Sequence, residues 1–235
     1  MRSSKRLLRL TKEIEGSKVL KQLPKDPRLF RYGFVALERG VLRRRQRDAL
    51  RERGWSKRQI VQISLWSHPE ALVQIIDVGW AEFVLLGDVY GVGHADVEER
   101  INAVPEGNDA ALFALLDELG GRFALLVVET NRARVFHDPV GSQSIFYHDR
   151  SPFAVSSHSM LLSAVLQSER TEEVSTYFWA WSLPADITAF RHIYALFPND
   201  LKASPAGSGG TGSGICACGS ARVPLMFFHG QPLEA

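Results

Sequence analysis

The chain's only thiols are Cys216 and Cys218. A thiol can act as a nucleophile or a metal ligand, and Cys216-x-Cys218 with His229 is the one grouping that could recruit a metal. Its spacing is not that of a zinc ribbon or finger, and two residues of separation is poor geometry for a disulfide. No metal site is expected. His137, His148 and His158 show no paired-ligand spacing and are expected at polar surface or loop positions. Asp109 follows Gly107-Asn108 and opens an apolar-periodic run, where an acid serves as an N-cap or first-turn charge. Arg43-Arg44-Arg45 sits in a basic stretch that could meet an anionic surface by counterion release. It lacks interleaved aromatics and any DNA-binding motif, so nucleic acid is not the expected partner.

The elements that must position these groups fall into three zones. Residues 1–60 hold 19 Lys and Arg against 6 Asp and Glu, whereas the rest of the 235 residues hold 9 against 20. Such a split implies a charged arm on a globular body. Residues 1–58 are therefore expected as a basic, partly helical extension that docks on the acidic body or on a partner. Residues 59–202 are expected as the folded domain. Within it, Leu112, Leu115, Leu116 and Leu119 give the 3–4 spacing of one buried helix face. Arg122 to Glu129 is apolar on both faces, which predicts a strand covered on both sides, and Arg132 to His137 reads as its return strand. Ser157 is placed to cap a helix over His158–Gln167. The order helix, strand, hairpin, strand, helix predicts an antiparallel α+β fold. Residues 203–235 are expected as a disordered tail, because residues 203–222 hold six Gly, four Ala, four Ser and one aliphatic. No run of about 18 apolar residues suggests a membrane span, no secretory signal is legible at the N-terminus, and cytoplasm is the expected compartment.

Several of these residues also form an ordered series: Val84-Leu85-Leu86-Gly87-Asp88-Val89-Tyr90, Gly121-Arg122-Phe123-Ala124, Asp138-Pro139-Val140-Gly141 through Tyr147, Phe153 through Ser157-His158, and Thr188 to Asn199. The series resembles the class II glutamine amidotransferase domain found in the glutaminase half of asparagine synthetases, over roughly residues 71–200. That resemblance implies an N-terminal-nucleophile fold, an αββα sandwich of two antiparallel sheets between helical layers. It also implies asparagine synthase chemistry, in which a synthetase half would use ATP and Mg.

The resemblance stops short of the chemistry. The family's nucleophile is a cysteine at the mature N-terminus; Met1 is followed here by Arg2, and Ser3, Ser4 or Thr11 would need a cleavage that nothing in the sequence suggests. The family's oxyanion hole pairs an Asn side chain with a Gly N–H. Leu86 precedes Gly87 here, and losing one such donor costs about 3–4 kcal/mol of barrier. Asp88 stands for the family's Glu. Asp109 matches the acid that holds the glutamine amine, on a shortened segment. The family's Arg-Gly-Pro-Asp segment has no counterpart, and Ser157-His158 replaces Ser-Glu. Gly87, Asp88 and Asp109 are thus the expected traces of a glutamine site, with no catalytic residue and no cofactor in the chain. Ser208-Gly209-Gly210-Thr211-Gly212-Ser213 resembles the synthetase pyrophosphate loop only faintly, since its Asp is Gly212 and no strand feeds it. The expected function is a degenerate amidotransferase-like domain, structural or regulatory, or the relic of an amide-forming enzyme interrupted after Lys202. One alternative is a subunit of an amide ligase whose ATP-using half is a separate chain. The other is a binding module built on the basic arm. The partners considered are that separate chain or a second copy of this one.

Overall fold

The structure, a computed structural model, describes residues 29–91, 93–171, 186–197, 200–205 and 215–217. Two six-stranded sheets carry the described part, and every pair of neighbouring strands in them is antiparallel. The first sheet contains β1 (Phe34–Glu38), β2 (Ser56–Ile60), β3 (Ile63–Ser67), β8 (Phe146–His148), β9 (Ala154–Ser156) and β10 (Ile193–Ala195). Its order is β10-β8-β9-β1-β3-β2. The second contains β4 (Val73–Asp77), β5 (Ala81–Tyr90), β6 (Gly120–Glu129), β7 (Arg132–His137), β11 (Asp200–Pro205) and β12 (Ile215–Ala217). Its order is β12-β11-β7-β6-β5-β4. Among the described residues there are four helices: α1 (Arg44–Arg51), α2 (His94–Asn102), α3 (Asp109–Glu118) and α4 (Ser159–Leu166).

Side-chain alternation along the strands explains the layering. Phe34 and Ala36 of β1 meet Val84 and Leu86 of β5 and Ala124, Leu126 and Val128 of β6 in one buried cluster between the sheets. The intervening residues of each strand point the other way. Val35 and Leu37 join Trp66 under Ala49 and Leu50 of α1 and Leu161, Leu162 and Val165 of α4. Phe83, Leu85, Phe123, Leu125 and Val127 lie under Val97 and Ile101 of α2 and Leu112, Leu115 and Leu116 of α3. The order of layers is α1/α4, first sheet, second sheet, α2/α3. The doubly apolar β6 is buried on both faces as its sequence requires, and each of its large aliphatics removed from water contributes about 1.5–3 kcal/mol. Asn108 caps α3 by accepting the Ala111 N–H at 3.0 Å.

The structure draws the domain boundaries differently from the expectation. β1, α1 and β2 belong to the body, so residues 29–58 are no extension. β1 occupies an interior position of its sheet, with Phe34, Val35, Ala36 and Leu37 at 0–1% exposure. The arginines of α1 misled because only Gln46, Ala49 and Leu50 turn inward there; Gln46 Nε2 donates to the Val165 carbonyl and ties α1 to α4. At the other end, β11 runs past Lys202 to Pro205, and Ile215–Ala217 pairs with it. Residues 1–28, where Arg2, Ser3, Ser4 and Thr11 fall, lie outside the described residues, as do Ser208–Ser213, Cys218 and His229. No described helix is long and apolar enough to cross a membrane.

Candidate functional site

Sheet pairing brings several of the singled-out residues to one end of the sandwich. On the second sheet, Gly87 and Asp88 of β5 lie opposite Phe123 and Arg122 of β6. On the first, β1 and β9 run antiparallel, and beyond their ladder the Ser157 N–H donates to the Phe34 carbonyl at 3.1 Å. Ser142 Oγ donates to the Gly121 carbonyl at 3.2 Å, and four residues on Phe146 pairs with Ser156, so these two sheet ends lie at a common mouth.

The first-sheet side of this mouth is tightly built. The chain enters β1 through a turn in which the Gly33 N–H donates to the Phe30 carbonyl at 2.8 Å. Phe30 and Tyr32 both sit at positive φ, 59° and 60°, a left-handed conformation costly for such side chains. A Cβ at Gly33 would lie 2.6 Å from the Phe30 oxygen and 3.2 Å from both Ser157 Oγ and His158 Nδ1. The Phe34 N–H donates to Ser157 Oγ at 2.9 Å, and Ser156 Oγ donates to the Phe34 carbonyl at 2.8 Å. Ser157 Oγ also lies 2.8 Å from His158 Nδ1. Ser157 therefore does not cap α4; the N-cap position is His158, which makes no side-chain cap bond.

A serine beside an imidazole suggests nucleophilic chemistry. Here the hydroxyl is buried at 3% exposure and already accepts a backbone N–H, so it ties β1 to β9 and does not face a substrate. Burial, and then the Arg122 charge, hold the His158 pKa below its ordinary value. A histidine held neutral in the fold and charged when unfolded keeps its stabilising contribution above the unfolded value, about 6.5, and loses it as pH falls toward the folded value. The thermal midpoint should therefore drop on acidification from about pH 7.5 to about pH 5.5, and His158→Gln should remove part of that drop. Calorimetry across that range checks this; identical losses in the two proteins would refute it.

On the second-sheet side the backbone donor of Gly87 is already engaged. The Gly87 N–H donates to the Leu72 carbonyl at 3.0 Å, and Leu86 is 3% exposed, packed between the sheets. Gly87 itself has a local structural cause. Its φ is +120°, and a Cβ there would lie 2.3 Å from the Arg122 carbonyl oxygen; Gly121, opposite Val89, has a φ of +154° and the same 2.3 Å approach to the Asp88 oxygen. Asp88 and Arg122 are exposed at the rim, and no ion pair engages either among the described residues.

Asp109 is elsewhere. As the first residue of α3 it pairs with Arg134 of β7, whose side chain is only 2% exposed and also meets Glu129 at 2.7 Å. Arg134 lies opposite Val127 on β6, five positions along from Arg122, or about 16 Å at a strand's rise, and on the helix-covered face. Gly87, Asp88 and Asp109 are therefore not brought to one place. Asp138, at 0% exposure, accepts the N–H groups of Val140, Ser142 and Gln143, and Ser142 Oγ donates to the Gly121 carbonyl at 3.2 Å. That aspartate shapes a loop against the mouth; it does not reach into it.

Beside Gly87 and Asp88 the mouth contains Gly33, Ser157, His158 and Arg122, none of which was singled out as a site. Only the Ser157-His158 adjacency was a usable signal, since the contact of Phe34 with Ser157 spans 123 residues. Among the described residues no three His, Cys, Asp or Glu side chains could hold a metal ion. No protein-family model and no curated protein matches the chain.

Proposed function

We propose that this chain is a glutamine amidotransferase-like domain of the asparagine synthetase group that keeps an N-terminal-nucleophile scaffold and performs no glutamine hydrolysis. Its role is structural or regulatory, as a docking partner or remnant of an ATP-dependent amide-forming enzyme. The layered arrangement of two antiparallel sheets between helices supports the scaffold part of this reading. One observation carries the loss of chemistry: the Gly87 N–H, which would have to meet a developing oxyanion, is bonded to the Leu72 carbonyl beside a buried leucine. The entry to β1 agrees with it. There the peptide N–H of Gly33 closes a turn and that of Phe34 is taken by Ser157, so among the described residues no free amine stands at the strand's start.

What the mouth retains is an exposed guanidinium, Arg122, opposite a carboxylate, Asp88, and the imidazole of His158 against Ser157. These groups can hold a polar or charged ligand; none of them supplies a nucleophile. The ATP and Mg chemistry of the family belongs to a synthetase half. Glutamate release by the purified full chain is the test, with no saturable turnover expected.

A further inference from the structure

A second feature lies away from the mouth, on the helix side of the first sheet. Between α1 and the outer face of the β2–β3 hairpin there is a small recess open to solvent. The turn after β1 contributes Glu38 and Arg39, α1 contributes Arg47, and the hairpin contributes Lys57, Ser64 and Trp66. Strand register explains the grouping. Lys57 lies directly opposite Trp66, and Ser64 stands two residues before Trp66 on the same face.

The charges in this recess are unbalanced. Arg39, Arg47 and Lys57 make no ion pair among the described residues; the nearby carboxylate of Asp48 is engaged by Arg44 and Arg51 instead. Arg39 makes only a 3.4 Å contact to the Val61 carbonyl. Against the three cations stands Glu38 alone, leaving a surplus of two positive charges. In the wall is Trp66, at 0% exposure, whose buried indole N–H has no acceptor among the described residues. A buried donor without a partner is rare in folded proteins. Three cations against one carboxylate, around a wall that includes a buried donor without a partner, is the arrangement that an anion completes.

The geometry points to an anion-binding recess that takes the phosphate group of a small phosphate monoester. A monoester carries about −1.5 to −2 charge at neutral pH, which matches the surplus, and its oxygens accept several donors at once. Guanidinium groups suit such a ligand because their paired N–H groups engage two oxygens together. A carboxylate would leave one cation unmatched. A nucleic-acid backbone offers the same phosphate chemistry but would use the whole basic face of α1 and β2, not one concave site. This inference is independent of the reading of the mouth between the sheets.

Calorimetric titration of the full chain in phosphate-free, low-salt buffer tests it, with inorganic phosphate, glycerol phosphate and a short single-stranded oligonucleotide as probes. We expect one saturable site for glycerol phosphate and for inorganic phosphate. An Arg47→Gln/Lys57→Gln variant should weaken it at least tenfold, while an Arg43→Gln/Arg45→Gln variant, altered on the exposed side of the same segment, should stay within about twofold. Thermal melts of both variants, whose substituted side chains are not buried, check that the loss is not unfolding. No saturable binding of either phosphate probe overturns the proposal. Equal losses in the two variants, or saturable binding of the oligonucleotide alone, also overturn it, by replacing a built recess with a diffuse basic field.

Discussion

Gly87→Ala should lower the thermal midpoint by about 6–12 °C, the consequence of roughly 3 kcal/mol lost in a domain of this size. Two costs combine. An L-residue does not adopt the φ of +120°, and the added methyl would sit 2.3 Å from the backbone oxygen of Arg122. That atom belongs to the strand ladder and cannot swing aside as a flexible side chain would, so β5 and β6 must part. Gly121→Ala should be as severe, because its added methyl would sit 2.3 Å from the backbone oxygen of Asp88. Gly79→Ala is the control: its φ is also positive, +84°, but nothing lies within 4 Å of the added methyl, so only the backbone strain remains. A melt in which Gly87→Ala and Gly79→Ala behave alike would show that strand contact is not what requires the glycine. The comparison bears on function, since a glycine demanded by its neighbours needs no glutamine site to explain it.

The second large effect is expected at Arg134. Removing both carboxylates, Asp109→Asn with Glu129→Gln, leaves a guanidinium at 2% exposure with no countercharge. Breaking a buried ion pair in this way costs about 3–5 kcal/mol. Asp109→Asn alone should cost less, because Glu129 remains at 2.7 Å. Arg134→Met should also cost less than the double change, since it removes the buried charge itself and leaves two carboxylates that are partly exposed. Urea unfolding of the three variants gives the ranking. A stability unchanged by Asp109→Asn would detach this residue from Arg134 and return it to the glutamine site that the family resemblance implies.

These two sites show what was legible in the chain and what was not. The antiparallel α+β class could be read from periodicity, because β6 and α3 each bury residues whose spacing is local. β7 was read with its bounds intact for the same reason. The N-terminal boundary was misjudged because charge density outweighed a four-residue apolar run: Phe34 to Leu37 is too short to announce a central strand, yet its position between β9 and β3 buries it completely. The misreading of residues 203–205 and 215–217 has the opposite origin. Their strands are completed by pairing to β7 through β11, which composition does not reveal. Site residues follow the same division. Gly87 could be named from its neighbours in sequence, but the Leu72 carbonyl that occupies its N–H could not. Asp109 could be named as a helix-opening acid, but Arg134, its partner, is 25 residues away and belongs to another layer. The pairing of Phe34 with Ser157 depends on an antiparallel contact between the two ends of the domain.

The central claim is that a glutaminase-like scaffold stands here without glutaminase chemistry. It is tested most directly by glutamate release from millimolar glutamine, measured with the full chain and with Cys216→Ala/Cys218→Ala. The predicted result is release at the rate of buffer alone for both proteins. Saturable, glutamine-dependent release by the unaltered chain would contradict the claim, and its loss in the cysteine variant would locate the nucleophile.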